Sequence, residues 1–157
     1  MKFLSIVVLA SLSLNAFSAT TGNLYLKGIV PKKLSILITP STGANTPTAL
    51  NLEQSATNML VAVASERSNS FSGYKVSADS LNDGKLINTT YPSVNIAYSL
   101  TYDGQVVNLS QSSVVKSKPN SVNSAESDIR ISYVGVPHQN RIEGTYTDVV
   151  TFTIAAN

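Results

Sequence analysis

Residue types able to do acid-base, nucleophilic or metal chemistry are sparse in this chain: of 157 residues, one is histidine, none is cysteine, and nine are Asp or Glu. The histidine, His138, lies in Gly135-Val-Pro-His-Gln-Asn140, a turn composition in which a solvated imidazole is the ordinary state. A serine triad would depend wholly on it, and no Gly-x-Ser-x-Gly elbow is present. Asp79-Ser-Leu-Asn-Asp-Gly84 begins like a calcium loop. Leu81, however, stands where a carboxylate or amide is needed, and Thr90 where the bidentate Glu should be, so the segment reads as a turn. Asn88-Thr-Thr90 and Asn108-Leu-Ser110 match the glycosylation sequon, too common a pattern to carry weight. The expectation is a protein that is not an enzyme and holds no metal or cofactor.

The N-terminus has its own signature. Met1-Lys2 is a short positive end, Phe3 to Leu14 is an apolar run too short to span a bilayer, and Ala16-Phe-Ser-Ala19 has small residues spaced for cleavage after Ser18. Residues 1–18 are therefore expected to be a signal peptide. Its removal leaves 139 of the 157 residues, and loss of Lys2 takes the formal charge from +2 to +1. A balance so near neutral excludes a nucleic-acid or polybasic membrane footprint. With no second long apolar run and no lipidation cysteine, the exported product is expected to be soluble. An oxidising compartment permits disulfides, yet this chain has no cysteine. Its fold must hold by burial and backbone pairing alone.

Most of the chain alternates with period two. Leu34, Ile36 and Ile38 alternate with Ser35, Leu37 and Thr39, and a turn-rich loop, Pro40 to Pro47, leads to a possible brief strand at 49–52. Strands are expected at 59–66 and 74–78, with Asn82-Asp-Gly84 turning the latter into a hairpin with 85–87. Val94, Ile96, Tyr98 and Leu100 share a face of a strand that Asp103-Gly104 turns into 106–109. Residues 110–127 read as a long polar loop with at most a two-residue pairing at Val114-Val115, and 129–134 as a strand. The last strand is expected over 144–155, with Tyr146, Val150, Phe152 and Ile154 on one face and Asp148 as the polar residue of inward parity. Short strands, Gly, Asn and Pro turns and one-sided alternation predict an all-β sandwich of immunoglobulin-like type, with a closed barrel as the alternative.

One stretch organises the rest. In Gly22-Asn-Leu-Tyr-Leu-Lys-Gly-Ile-Val-Pro31, Leu24, Leu26, Gly28 and Val30 fall on one face of an extended strand, directly after the signal. A glycine on the apolar face weakens a purely structural strand. The stretch reads either as the first strand of a self-sufficient sandwich or as a strand offered to a neighbour.

Thr21 to Ile36 resembles the N-terminal extension and first strand of chaperone-usher pilus subunits, including the phase of the glycine. Glu143 to Ile154 resembles the last strand of such pilins and of spore-coat-U-like secreted proteins, with Gly144 fourteenth from the end. The chain departs from the type 1 pattern in lacking a cysteine near Leu34 or Ser35 and in having Ala156 where a tyrosine is common, which makes it more similar to the cysteine-free alpha-type, colonisation-factor-like pilins. The resemblance implies an incomplete immunoglobulin-like pilin domain at 33–157 and an N-terminal donor-strand extension at 19–32. Leu24, Leu26, Gly28 and Val30 would enter a neighbour's groove, whose wall would include Gly144, Tyr146, Val150, Phe152 and Ile154. The implied function is a structural subunit of a fimbria, polymerised by donor-strand exchange and contributing to cell adhesion. The implied partners are identical or related pilin subunits, a periplasmic chaperone, an outer-membrane usher and a host surface receptor. The implied location is the cell surface, reached through the periplasm. The other function in play is a self-sufficient secreted adhesin that binds host glycan or protein through Arg67, Tyr91, Tyr102 and the 110–127 loop.

Overall fold

The computed structural model describes residues 20–43, 48–119 and 123–157, so the expected signal peptide lies outside the described residues. Contacts divide the chain into two units, Met1–Val30 and Pro31–Asn157. In the described part of the first unit no strand forms, and Leu24, Tyr25, Leu26, Ile29 and Val30 are each between 78% and 88% exposed. The strand expected over 22–30 is thus absent. Alternation makes a segment able to be a strand, but a strand exists only when a second backbone supplies the ladder.

The second unit is all-β. Its elements are β1 (Leu34–Pro40), β2 (Ala56–Ser68), β3 (Gly73–Ser80), β4 (Lys85–Asn88), β5 (Asn95–Tyr102), β6 (Gln105–Val106), β7 (Ser113–Pro119), β8 (Asn123–Tyr133), a single 3-10 turn at His138–Asn140, β9 (Tyr146–Thr147) and β10 (Val150–Ala156). They form two open sheets rather than a barrel. The larger has the order β1-β2-β8-β5-β4-β9, with β6 added on β5, and the smaller the order β10-β3-β7. Every pairing is antiparallel, from Leu34↔Ser68 to Pro40↔Ala62 in β1/β2 and from Val150↔Ser80 to Ala156↔Tyr74 in β10/β3.

The core lies between the sheets and follows the alternation. β3 contributes Tyr74, Val76 and Ala78, β5 contributes Leu100 and Tyr102, and β8 contributes Ile129, Ile131 and Tyr133, all fully or almost fully buried. The Asp103-Gly104 hairpin is present, with φ of 51° and 78° at its two central residues, the left-handed pair that a two-residue turn of this twist requires.

Four other expectations are corrected. Asn82-Asp83-Gly84 is a turn, but β3 and β4 do not pair; they lie in different sheets. Side chains take the donors that a hairpin would use in its ladder: Asn82 N donates to Asp148 Oδ1, at the distant β9–β10 crossover, and Gly84 N to Ser80 Oγ. Residues 110–127 are not one loop, since β7 and the first half of β8 occupy much of them. Their polar side chains hid the pattern, and Lys116, buried in β7, is matched by acidic partners. Residues 49–52 form no strand, although Leu50 and Leu52 pack on the core. The last strand is broken at Asp148-Val149 into β9, in the larger sheet, and β10, in the smaller.

Candidate functional site

The edges of the two sheets that face each other are β1 and β10. Among the described residues each has a neighbour on one side only, and they lie close together across the mouth of the sandwich. In an antiparallel edge strand alternate residues aim both N–H and C=O away from the ladder, so two rows of backbone groups border this mouth. The inward side chains on these strands are correspondingly under-covered. Leu34, Ile36 and Ile38 on β1 and Val150, Phe152 and Ile154 on β10 are only half-buried, although residues of the same parity on β3 and β8 are buried. The inner faces of both edge strands belong to the core but lack the cover that one further strand would provide.

Between them opens a cavity of about 860 Å³. Ile38 and Pro40 line one wall, Val150 and Phe152 the other, and Leu100, Ile129 and Ile131 from β5 and β8 of the larger sheet form its floor. Phe152 leans on Tyr102 with ring centroids 5.4 Å apart and planes at 33°, which carries the wall into the core. Leu50 and Leu52 close part of the upper end. Their segment is pinned by Thr48 Oγ1 donating to Val61 O at 3.2 Å, Tyr133 Oη to Asn51 O at 3.0 Å and Val136 N to Leu52 O at 2.9 Å.

The crossover from β9 to β10 supplies the polar end of the cavity. Asp148 Oδ2 accepts hydrogen bonds from Ser80 Oγ (2.7 Å) and Tyr98 Oη (2.5 Å), and Oδ1 from Asn82 N (3.1 Å) and Val149 N (2.7 Å). Four donors on one carboxylate fix the point where the last strand changes sheets. Burial raises the pKa of the Tyr98 phenol, and the hydrogen bond to Asp148 and its charge raise it further. Tyr98 therefore stays protonated and keeps donating.

Gly144 has a separate reason to be glycine. Its φ is +136°, and a Cβ there would stand 2.7 Å from Asn88 Nδ2. Asn88 is fully buried: its Nδ2 donates to Glu143 O at 3.1 Å, while Oδ1 accepts from Thr90 N at 2.9 Å and Tyr91 N at 3.0 Å. Of the residues expected at a groove wall, Gly144, Tyr146, Val150 and Phe152 line the cavity, and Ile154 lies further along β10, packed on the core. Leu24, Leu26, Gly28 and Val30 belong to the first unit and are themselves exposed.

Sequence reasoning missed the opposite wall and the floor, although the signal was available. Ile38 shares the parity of Leu34 and Ile36, and Leu100 that of Ile96, but parity does not say which strands become edges. It also missed a buried charge in the core. Glu66 is fully buried on β2 and accepts from the hydroxyls of Tyr74, Tyr102 and Ser127, with Lys116 Nζ 3.2 Å away. Burial pushes its pKa up, but the hydrogen bonds from Tyr102, Tyr74 and Ser127 and the Lys116 charge outweigh that and hold it below the ordinary carboxylate value. The parity of Glu66 with Ala62 and Ala64 was a usable sign. Tyr102 is corrected as a surface-binding candidate, because its ring is core and its hydroxyl is bound to Glu66. Arg67 and Tyr91 are exposed. Among the described residues no group of three or more His, Cys, Asp or Glu is placed to hold a metal.

No protein-family model matches the chain, and no curated protein sequence matches it. Among solved structures it is similar to the CooA pilin subunit from enterotoxigenic Escherichia coli, with 17% identity and a TM-score of 0.47 over 76% of this chain and 86% of that one.

Proposed function

We propose that the chain is a structural subunit of an extracellular fimbria, joined to its neighbours by donor-strand exchange. The single observation that carries this reading is the cavity between β1 and β10, whose apolar floor and two unpaired backbone edges suit one inserted strand. The exposed segment with Leu24, Leu26, Gly28 and Val30 has the composition such a strand needs. Burying three aliphatic side chains is worth roughly 1.5–3 kcal/mol each, and a ladder on both sides adds about 0.5–1.5 kcal/mol per hydrogen bond. Gly28 would sit where the floor comes closest. Because the donor and acceptor are different surfaces of one chain, the contact is heterologous and does not close, so it propagates into a fibre.

Before assembly the same cavity would be a liability, since an apolar slot with free edges invites aggregation. A periplasmic chaperone that lends a strand and an outer-membrane usher that exchanges it are the partners this reading requires, with residues 1–18 as the export signal and the cell surface as the destination. No catalytic role belongs to it. Adhesion along the fibre would use exposed side chains such as Arg67 and Tyr91.

The test compares the mature protein with a form lacking residues 19–31, by gel filtration and by electrophoresis of unheated and heated samples. The reading expects heat-sensitive ladders from the full form, and from the truncated form an unstable monomer that a peptide of residues 19–31 rescues. Two stable monomers would replace it with a self-sufficient secreted binding module.

A further inference from the structure

The domain has two distinct ends. At one lie the start of β1, the β2–β3 turn and the chain's C-terminus: Ser72 Oγ donates to Asn157 O at 3.1 Å, and Asn157 Nδ2 to Ser72 O at 3.2 Å. Asn69, in that turn, grips the residues that precede β1. Its Oδ1 accepts from Lys33 N at 2.6 Å, its Nδ2 donates to Pro31 O at 2.8 Å, and its N donates to Lys33 O at 3.1 Å. At the other end lie the close of β1, the start of β10 and the mouth of the cavity, where Leu81 N donates to Val149 O at 3.0 Å.

Each end carries an apolar group in water. Phe71 is 84% exposed in the β2–β3 turn, while Leu81 is 74% and Val149 58% exposed beside the cavity mouth. Phe71 makes no contribution to its own core, and a phenylalanine held open in a tight turn is a poor choice for solvent alone.

We propose that Phe71 of one copy docks on the Leu81–Val149 patch of the next copy, as a second contact at every joint of the fibre. The inference rests on the donor-strand reading and adds a surface to it. Chain length supplies the argument. If Val30 occupies the accepting copy's groove, its Cα is about 3.8 Å from that of Pro31. Pro31 is held by Asn69, and Phe71 is only two residues, at most about 7 Å, beyond Asn69. No slack separates the domain from its donated strand, so the accepting copy must abut the β2–β3 turn.

The end it presents follows from direction. A head-to-tail stack brings the Asn69 end of one copy against the cavity mouth of the next. The donated strand then runs with Val30 at the mouth and Leu24 deeper, antiparallel to β10. Phe71 is therefore carried to the rim where Leu81 and Val149 stand. The three Asn69 hydrogen bonds hold the turn in register with Pro31 and Lys33, the first residues of the domain.

The absence of native cysteine permits a clean test. Mature protein carrying Phe71→Cys and Leu81→Cys together is assembled, oxidised or treated with a short bis-maleimide, and run heated on a denaturing gel. A covalent ladder, absent from either single variant and, after oxidation, removed by reductant, is the expected result. A pair of Phe71→Cys with Thr153→Cys, on the exposed face of β10, should give none. Phe71→Asp, which keeps the donor segment intact, should shorten the lifetime of the unheated ladder by on the order of tenfold, the scale of one buried aromatic ring. Heat-sensitive ladders that form normally but never cross-link and do not respond to Phe71→Asp would overturn the contact and leave donor-strand exchange standing. If the unsubstituted protein makes no ladders, both fall together.

Discussion

Replacing Glu66 by Gln keeps the shape of the side chain and removes its charge, and the structure sets the size of the effect. The carboxylate accepts from three hydroxyls, those of Tyr74, Tyr102 and Ser127, and faces the Lys116 ammonium. Hydrogen bonds to a charged acceptor are worth about 1.5–3 kcal/mol against about 0.5–1.5 for neutral ones, so three such bonds lose about 3 kcal/mol together. That sits at the low end of the range of about 3–5 kcal/mol for breaking a buried pair. Lys116 retains a partner in Asp103, 3.0 Å away, which explains why the low end applies. In a domain of this size about 3 kcal/mol lowers Tm by about 10 °C. The folded pKa of Glu66 is depressed below its ordinary value of 4.5, so its stabilisation is fully present above that pH and is lost as pH falls through the folded value. Gln does not titrate there. Thermal denaturation should therefore show a gap between the two proteins at neutral pH that closes as the solution is acidified. A gap under about 1 kcal/mol at pH 7, or one that persists unchanged in acid, would refute the account of Glu66 as the charged hub joining β2, β3, β5, β7 and β8.

Under the proposed donor-strand exchange, Gly28→Leu should block fibre assembly while leaving export intact, measured as surface fibres against periplasmic protein; normal fibres would remove the glycine from the proposed groove. Gly144→Ala must hold a φ of +136° and move Asn88, and should lower stability by roughly 1–3 kcal/mol in denaturant titration. Tyr98→Phe should lower stability by only about 1 kcal/mol, because Asp148 keeps its bonds from Ser80, Asn82 N and Val149 N.

What was legible in the sequence was whatever is local and periodic. Alternation placed β1, β5 and β10 and the inward parity of Ile38, Leu100 and Phe152, because a strand's two faces repeat every second residue whatever it pairs with. The two positive φ values of the Asp103-Gly104 hairpin are a property of the turn residues themselves. Pairing is not local. Asn82-Asp83-Gly84 and Asp103-Gly104 look alike as turns, yet one changes sheets and the other closes a hairpin, and the difference lies in Asp148, 66 residues away from Asn82. β7 and the first half of β8 escaped notice because polar side chains there are matched only in three dimensions, as Lys116 is by Glu66 and Asp103.

The sequence by itself determined an all-β chain without disulfides and a segment, Leu24 to Val30, able to become a strand. Only the tertiary structure decided that β1 and β10 are the facing edges, that Leu100, Ile129 and Ile131 floor a cavity between them, and that the last strand crosses from one sheet to the other at Asp148. The physical reason is that side-chain parity is written into each strand, whereas an open edge is defined by the absence of a neighbour, a property of the whole assembly of strands.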